Sequence, residues 1–346
     1  MASAGRSINI VIESTRATKD LPVRHIVRVL NEVQTSIYHI GDYLASEDFR
    51  VRGPPDDMVR DKCEMIFKDV RKGSFYAELI LQDPQTTLSN QQSLGEDSLQ
   101  KFSKLITEIN NEDAGLTRVK ETIDEPHHRY RIVGDLDRLW PSETDGFNVI
   151  LTSPQMKSVL LNPDKKFFIR QLLKGDSEEE EFTVRGVISD LHIKKDIIRI
   201  DGPDGSIKIP YESVDKIKEF INKPIAISGK AEPDAAGNIT ELNSVYSIEL
   251  FKHTTIKRIL SQKGELQLVN PMVIDIDYRN KNWVMKNDEF RIMISDAEYA
   301  NCLKQFNDEI FFIWSEYGPI DNSHLSPSAL RLKNSILSIV KEKPIG

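Results

Sequence analysis

Residues 182–249 constrain the fold more than any other stretch of the chain, because turn chemistry and hydrophobic period together fix an order of elements there. Residues 182–189, 197–201 and 206–210 are β-branched and alternate apolar with polar positions, the signature of half-buried strands. Asp204-Gly205 stands between the second and third runs as a hairpin turn. In residues 212–221, Val214, Ile217 and Ile221 fall at three- and four-residue intervals, which predicts a short amphipathic helix. Two more extended runs follow, residues 224–231 and 239–249, separated by the loop 232–238.

Strand, strand, strand, helix, strand, strand resembles the order of small OB-like barrels. Gly186 and Gly229 sit inside strands, as Val-Arg-Gly and Ile-Ser-Gly, where barrel closure needs sharp bends. An SH3-like barrel or an open sheet with one helix fits the same order. The resemblance implies oligonucleotide binding across the second and third strands and their flanking loops. Lys194, Lys195, Arg199 and Lys208 are then the residues for phosphates. Base stacking needs aromatics on the same face, and these strands offer none before Tyr211. The last loop is acidic, with Glu232 and Asp234. The charges therefore read more readily as the solvated face of a spacer or protein-binding module.

Composition narrows the field further. A chain of 346 residues exceeds one ordinary core, so several domains are expected. The net charge of -8 is spread along the sequence and repels polyanions as a whole. Only Cys63 and Cys302 are present, in segments read as a core strand and a core helix, so buried free thiols and a reducing compartment are expected. No run approaches the ~20 apolar residues of a membrane span, and the first residues lack the apolar region of a signal peptide. A cytoplasmic location with no membrane partner follows as an expectation.

In residues 1–83, Ile8, Ile10 and Ile12 predict a strand. A helix then opens with Asp20 and Pro22 and carries Val23, Ile26, Val27, Leu30, Val33, Ile37, Ile40 and Leu44 as its apolar stripe. His25 and His39 on this helix are too far apart to share a metal and read as surface or partly buried residues. Cys63, Met65 and Phe67, then residues 75–81, predict a hairpin turning at Gly73, so this region is an α+β layer. Residues 84–176 read as a helical and irregular continuation, beginning with the polar linker 84–93. It contains His127, His128, Asp135 and Asp137, the one cluster that suggests an enzyme. Adjacent histidines diverge on most backbones, and Asp-x-Asp lacks the further carboxylate of a metal cage, so solvated loop residues are the plainer reading. No nucleophile elbow, zinc-protease helix or phosphate loop occurs, and no cofactor is expected.

A charge run at residues 177–181 marks the boundary of the central module, residues 177–252. The last module, residues 253–346, contains three predicted strands at 272–278, 282–286 and 289–294. Ser295-Asp296-Ala297-Glu298 reads as a capping box opening an aromatic helix that ends at Gly318-Pro319, and Ser326-Pro327 opens another. Three strands leading into a helix through Ile294-Ser295-Asp296-Ala297-Glu298 resembles the HicB-like antitoxin fold over residues 271–317. The long aromatic helix and the helix after it depart from that pattern. The resemblance implies a protein-binding or regulatory module of a prokaryotic accessory or defence system. Phe311, Phe312, Trp314 and Tyr317 make the helix apolar on more than one side, which suits a partner or homo-oligomer interface. The expected whole is an α+β multidomain protein without catalytic activity, serving interaction or regulation. Nucleic-acid binding through the barrel, or an enzyme near residues 127–137, are the alternatives.

Overall fold

A computed structural model describes residues 6–16, 20–46, 53–71, 75–82, 93–111, 115–177, 181–203, 205–211, 214–232 and 238–341. The chain is α+β, with three largely antiparallel sheets, and it divides into two compact units. No helix among the described residues is long and apolar enough to cross a membrane.

The first unit takes in residues 1–43, 59–84 and 92–179. Its elements are β1 (Ser7–Ser14), α1 (Val23–Ala45), α2 (Asp57–Cys63), β2 (Met65–Arg71), β3 (Phe75–Leu81), α3 (Leu94–Asn110), α4 (Gly115–Thr122), α5 (Pro126–Leu139), β4 (Phe147–Ser153), β5 (Met156–Leu160) and α6 (Lys165–Ser177). The five strands run in the order β2-β3-β1-β4-β5. Ile8, Ile10 and Ile12 of the central strand are fully buried, as their alternation predicts. The α1 stripe is rotated from its expected position. Val29, Val33, Ile37 and Ile40 are fully buried, whereas Val23 and Val27 are 72% and 54% exposed. An i, i+4 row through Val29 and Val33 turns the seam toward His25 and His39, which are buried rather than superficial.

Residues 84–176 hold the helices α3 to α6 and also two strands that the reading did not include, because β4 and β5 belong to the first sheet. β4 lies against β1 with Ile150 opposite Val11, a pairing that local periodicity cannot reveal. Cys63 ends α2 instead of starting a strand, although its thiol is buried as expected. The β2–β3 hairpin forms as read. Its turn at Gly73 and most of the polar linker 84–93 lie outside the described residues.

The second unit takes in residues 44–58, 85–91 and 180–346. It contains β6 (Phe182–His192), β7 (Ile197–Gly202), β8 (Gly205–Pro210), α7 (Val214–Lys218), β9 (Ile225–Lys230) and β10 (Ser244–Leu250). After these come β11 (His253–Ser261), β12 (Gly264–Arg279), β13 (Asn282–Asn287), β14 (Ile292–Asp296), α8 (Tyr299–Tyr317) and α9 (Pro327–Ile339). The central sheet has the order β10-β9-β6-β7-β8. β6 pairs with β9 through Phe182–Gly186 and with β7 from Val187 onward, changing partner at Gly186. A Cβ at Gly186 would lie 2.7 Å from the Asp201 carbonyl oxygen, and one at Gly229 would lie 1.9 Å from that of Ser244. Both strand glycines therefore sit where backbone approaches backbone. Gly202 and Gly205 close the β7–β8 hairpin, Gly205 with φ +80°, while Asp204 lies outside the described residues.

The C-terminal sheet is a four-stranded meander, β11-β12-β13-β14, not the three strands expected. β12 begins at Gly264, ahead of the strand expected at 272–278, and runs through Asn270-Pro271. The β11–β12 ladder skips from Gln267 to Met272, and proline is tolerated in that unpaired stretch. The expected capping box is absent. Ser295 pairs with Val284 inside the sheet, and Glu298 at the helix N-cap makes no side-chain cap bond. α9 does start as read, with Ser326 Oγ accepting from the Ala329 N–H at 3.3 Å. The two sheets of this unit share packing: Val187 joins the C-terminal core and the Arg185 guanidinium lies 5.8 Å from the Phe251 ring centroid.

Candidate functional site

The four residues read as phosphate contacts lie on one module but do not make a basic groove. Lys194 and Lys195 are exposed on a 3-10 turn, Ile193–Lys195. Arg199 and Lys208 face solvent as direct cross-strand partners. Acids flank that pair on both sides: Asp190 is the register partner of Arg199, and Glu241 bridges Lys208. Asp190 also holds His192 at 3.0 Å. A strand row reading acid, base, base, acid offers a polyanion little net attraction.

The aromatic quartet on α8 is divided by the fold. Phe311 and Trp314 are buried, their ring centroids 5.6 Å apart, and the Phe311 ring closes over Gly264. Tyr317 packs partly buried against the same core. Phe312 alone is substantially exposed, at 47%.

The histidine and aspartate cluster is likewise taken apart. His127 Nδ1 meets Glu125 Oε1 at 2.7 Å, and the His128 N–H donates to Glu125 Oε2 at 2.6 Å. Burial, the largest influence on Glu125, pushes its pKa up. The His127 bond and the His128 N–H outweigh it and hold the carboxyl at about 2. Asp135 points instead to His39 Nδ1, 2.6 Å away, and to Arg138, which reaches Glu32 at 3.0 Å. Asp137 pairs with Arg170 at 3.2 Å and with Lys166. These are links between helices α1, α5 and α6, not a convergent centre. Among the described residues no three His, Cys, Asp or Glu side chains are placed to share a metal ion.

A concave site exists elsewhere, and its cause is chemical. The run 240–242 approaches β8 in parallel register: the Lys208 N–H donates to the Thr240 carbonyl at 3.3 Å, and the Leu242 N–H to that of Lys208 at 3.2 Å. The next bond of such a ladder would come from residue 210, and Pro210 has no N–H to give. The Asn243 N–H turns away to the Lys230 carbonyl at 2.7 Å, and the Tyr211 N–H to that of Asp196 at 3.0 Å. Past Pro210 the seam between β8 and β10 opens into a cleft of about 590 Å3.

One wall of this cleft is Ser244 to Ile248 of β10, and the other is Lys216, Ile217, Glu219 and Phe220 at and beyond the end of α7. The β9–β10 register shifts between Val245 and Ser247, so Tyr246 is a bulged residue, 53% exposed at the rim. Tyr211 lines the site and is 9% exposed, yet its hydroxyl oxygen is buried without a hydrogen-bond partner among the described residues. A buried hydroxyl in that state costs ~1–3 kcal/mol until something bonds it. Sequence reading met Tyr211 only as the first aromatic after the second and third strands of the central module. The site itself escaped it, because the cleft depends on what Pro210 fails to do across the seam. No family model, characterised protein or solved structure matches this chain.

Proposed function

We propose that this chain is a non-catalytic interaction protein of the cytoplasm that holds a protein partner at the seam of its central module. The observation that carries this reading is the cleft at Pro210, with an apolar floor, a Tyr211 hydroxyl without a partner among the described residues and an exposed Tyr246 at its rim. Buried polar groups without partners and exposed aromatics beside a cavity are common marks of a binding site. We read the module as an OB-like barrel. Support comes from the three-strand meander, the placement of α7 between β8 and β9, the return of β9 to β6, and the parallel bridge from Lys208 to Glu241. The order β12, β13, β14, α8 supports a regulatory, antitoxin-like role for the C-terminal module.

The test is capture from native cells after nuclease treatment, comparing the wild-type chain with Tyr246→Ala and Ser247→Lys, both at the cleft. A stoichiometric protein retained by the wild type and lost by both variants is the expected result. Identical protein profiles for all three would overturn the reading. Oligonucleotide binding is a second reading, favoured by the Arg199–Lys208 cross-strand pair and opposed by the acids beside it.

A further inference from the structure

We infer that the cleft takes its partner as an extended peptide, added as a strand along the free edge of β10; this rests on the interaction reading above and names its mode. Five consecutive residues, Ser244 to Ile248, line one wall. Consecutive side chains of a strand point to opposite faces, so a cavity touching all five runs along the strand's edge. Among the described residues β10 ends the sheet order, with β9 on its other side. An edge of this kind presents alternating amides and carbonyls at strand spacing, which another extended chain matches. The regular ladder covers Ser247 to Leu250, opposite Ser228 to Ile225, and the bulge at Tyr246 limits the added strand to a short one.

The chemistry of the opposite wall selects a peptide over a polyanion. Lys216 and Glu219 contribute one charge of each sign, so the lining has no excess charge for phosphates to neutralise. Ile217 and Phe220 form an apolar floor suited to one aliphatic or aromatic side chain. Tyr211 supplies a hydroxyl that both donates and accepts, and a peptide backbone offers both complements. Pro210 keeps the edge available. With a proline there, the chain's own β8 cannot continue along the run that leads into β10.

The experiment uses the full chain, labelled for amide NMR, and a library of capped, uncharged peptides of about six residues, a length set by the ~3.3 Å rise of a strand. The expected result is a peptide that shifts the amides of Ser244 to Leu250 and slows their exchange. N-methylation of alternate peptide amides in one register should weaken it by about tenfold or more, as each lost edge bond is worth ~1 kcal/mol. Tyr211→Phe, which keeps the ring and removes the hydroxyl, should weaken it severalfold. Pro210→Ala returns an N–H to the seam and should also lower affinity. Failure of every peptide at about 1 mM, or equal binding of both N-methylated registers, would overturn strand addition. So would the reverse selectivity, in which a thymidine oligonucleotide and no peptide moves the β10 amides. If the cell-capture variants lose their partner while peptides fail here, the interaction reading stands and the strand mode falls. If those variants lose nothing, the interaction reading itself falls.

Discussion

Asp135 is fully buried and holds His39 Nδ1 at 2.6 Å while also accepting from Arg138. Its replacement by alanine would leave an imidazole and a guanidinium without their shared acceptor, a loss on the order of 3 kcal/mol. Hydrogen exchange should report it as faster opening of α1 and α5 peptides in Asp135→Ala, and unchanged exchange would contradict the assignment. Glu125 makes the complementary case for pH. Its folded pKa of about 2 lies below the ordinary 4.5, so the stability it contributes is complete above 4.5 and is lost as pH falls toward 2. Acid titration of exchange at α5 should show protection failing across that window, and Glu125→Gln should flatten the transition. At this scale the sequence was informative about residue types and silent about pairing. The expected solvated loop is instead the helix α5, in which His128 and Asp135 are buried, His127 pairs locally with Glu125, and Asp137 reaches across to α6. The link from His39 to Asp135 joins positions on separate helices and leaves no local trace.

The same four-residue signal, Ser-x-x-Glu, occurs before α3 and before α8 with opposite outcomes. At Ser93, the Glu96 N–H donates to the serine hydroxyl at 3.2 Å and the Ser93 N–H donates to Glu96 Oε2 at 2.9 Å, a complete capping box. At Ser295, pairing of β14 with β13 claims the serine, and Asp296 instead accepts from the Glu298 N–H at 2.9 Å. Ser93→Ala should therefore cost ~1 kcal/mol and Ser295→Ala only a few tenths. Denaturant midpoints read from α3 and α8 exchange separate the two, and equal effects would refute the distinction. Elements set by short-range chemistry were legible in advance: the β7–β8 hairpin, the order around α7, and the strand glycines 186 and 229, whose missing Cβ atoms allow backbone contact. Elements set by a distant neighbour were not. β4 and β5 needed β1 as a template, and β11 pairs with β12 in two segments separated by a break in the ladder.

For the whole molecule, the deciding quantity is the placement of its charge. A net -8 repels nucleic acid at long range, and a local basic groove would have to overcome that field. The best candidate, Arg199 with Lys208, is bounded by Asp190 on β6 and by Glu241, which bridges Lys208. Within a Debye length of ~8–10 Å these acids cancel most of what the bases offer. Each phosphate contact that releases a counterion steepens the dependence of log affinity on log salt by ~0.7 for a single strand. Four engaged bases, Lys194, Lys195, Arg199 and Lys208, would give a slope near ~3, whereas the interleaved arrangement predicts a slope close to zero. Fluorescence anisotropy of a labelled thymidine oligonucleotide, titrated with the full chain from about 50 to 200 mM salt, measures it. The expected trace is weak and flat. A steep slope that falls when Arg199 and Lys208 are both changed to alanine would show the flanking acids to be ineffective and move the outer face of β7 and β8 to the centre of the protein's function.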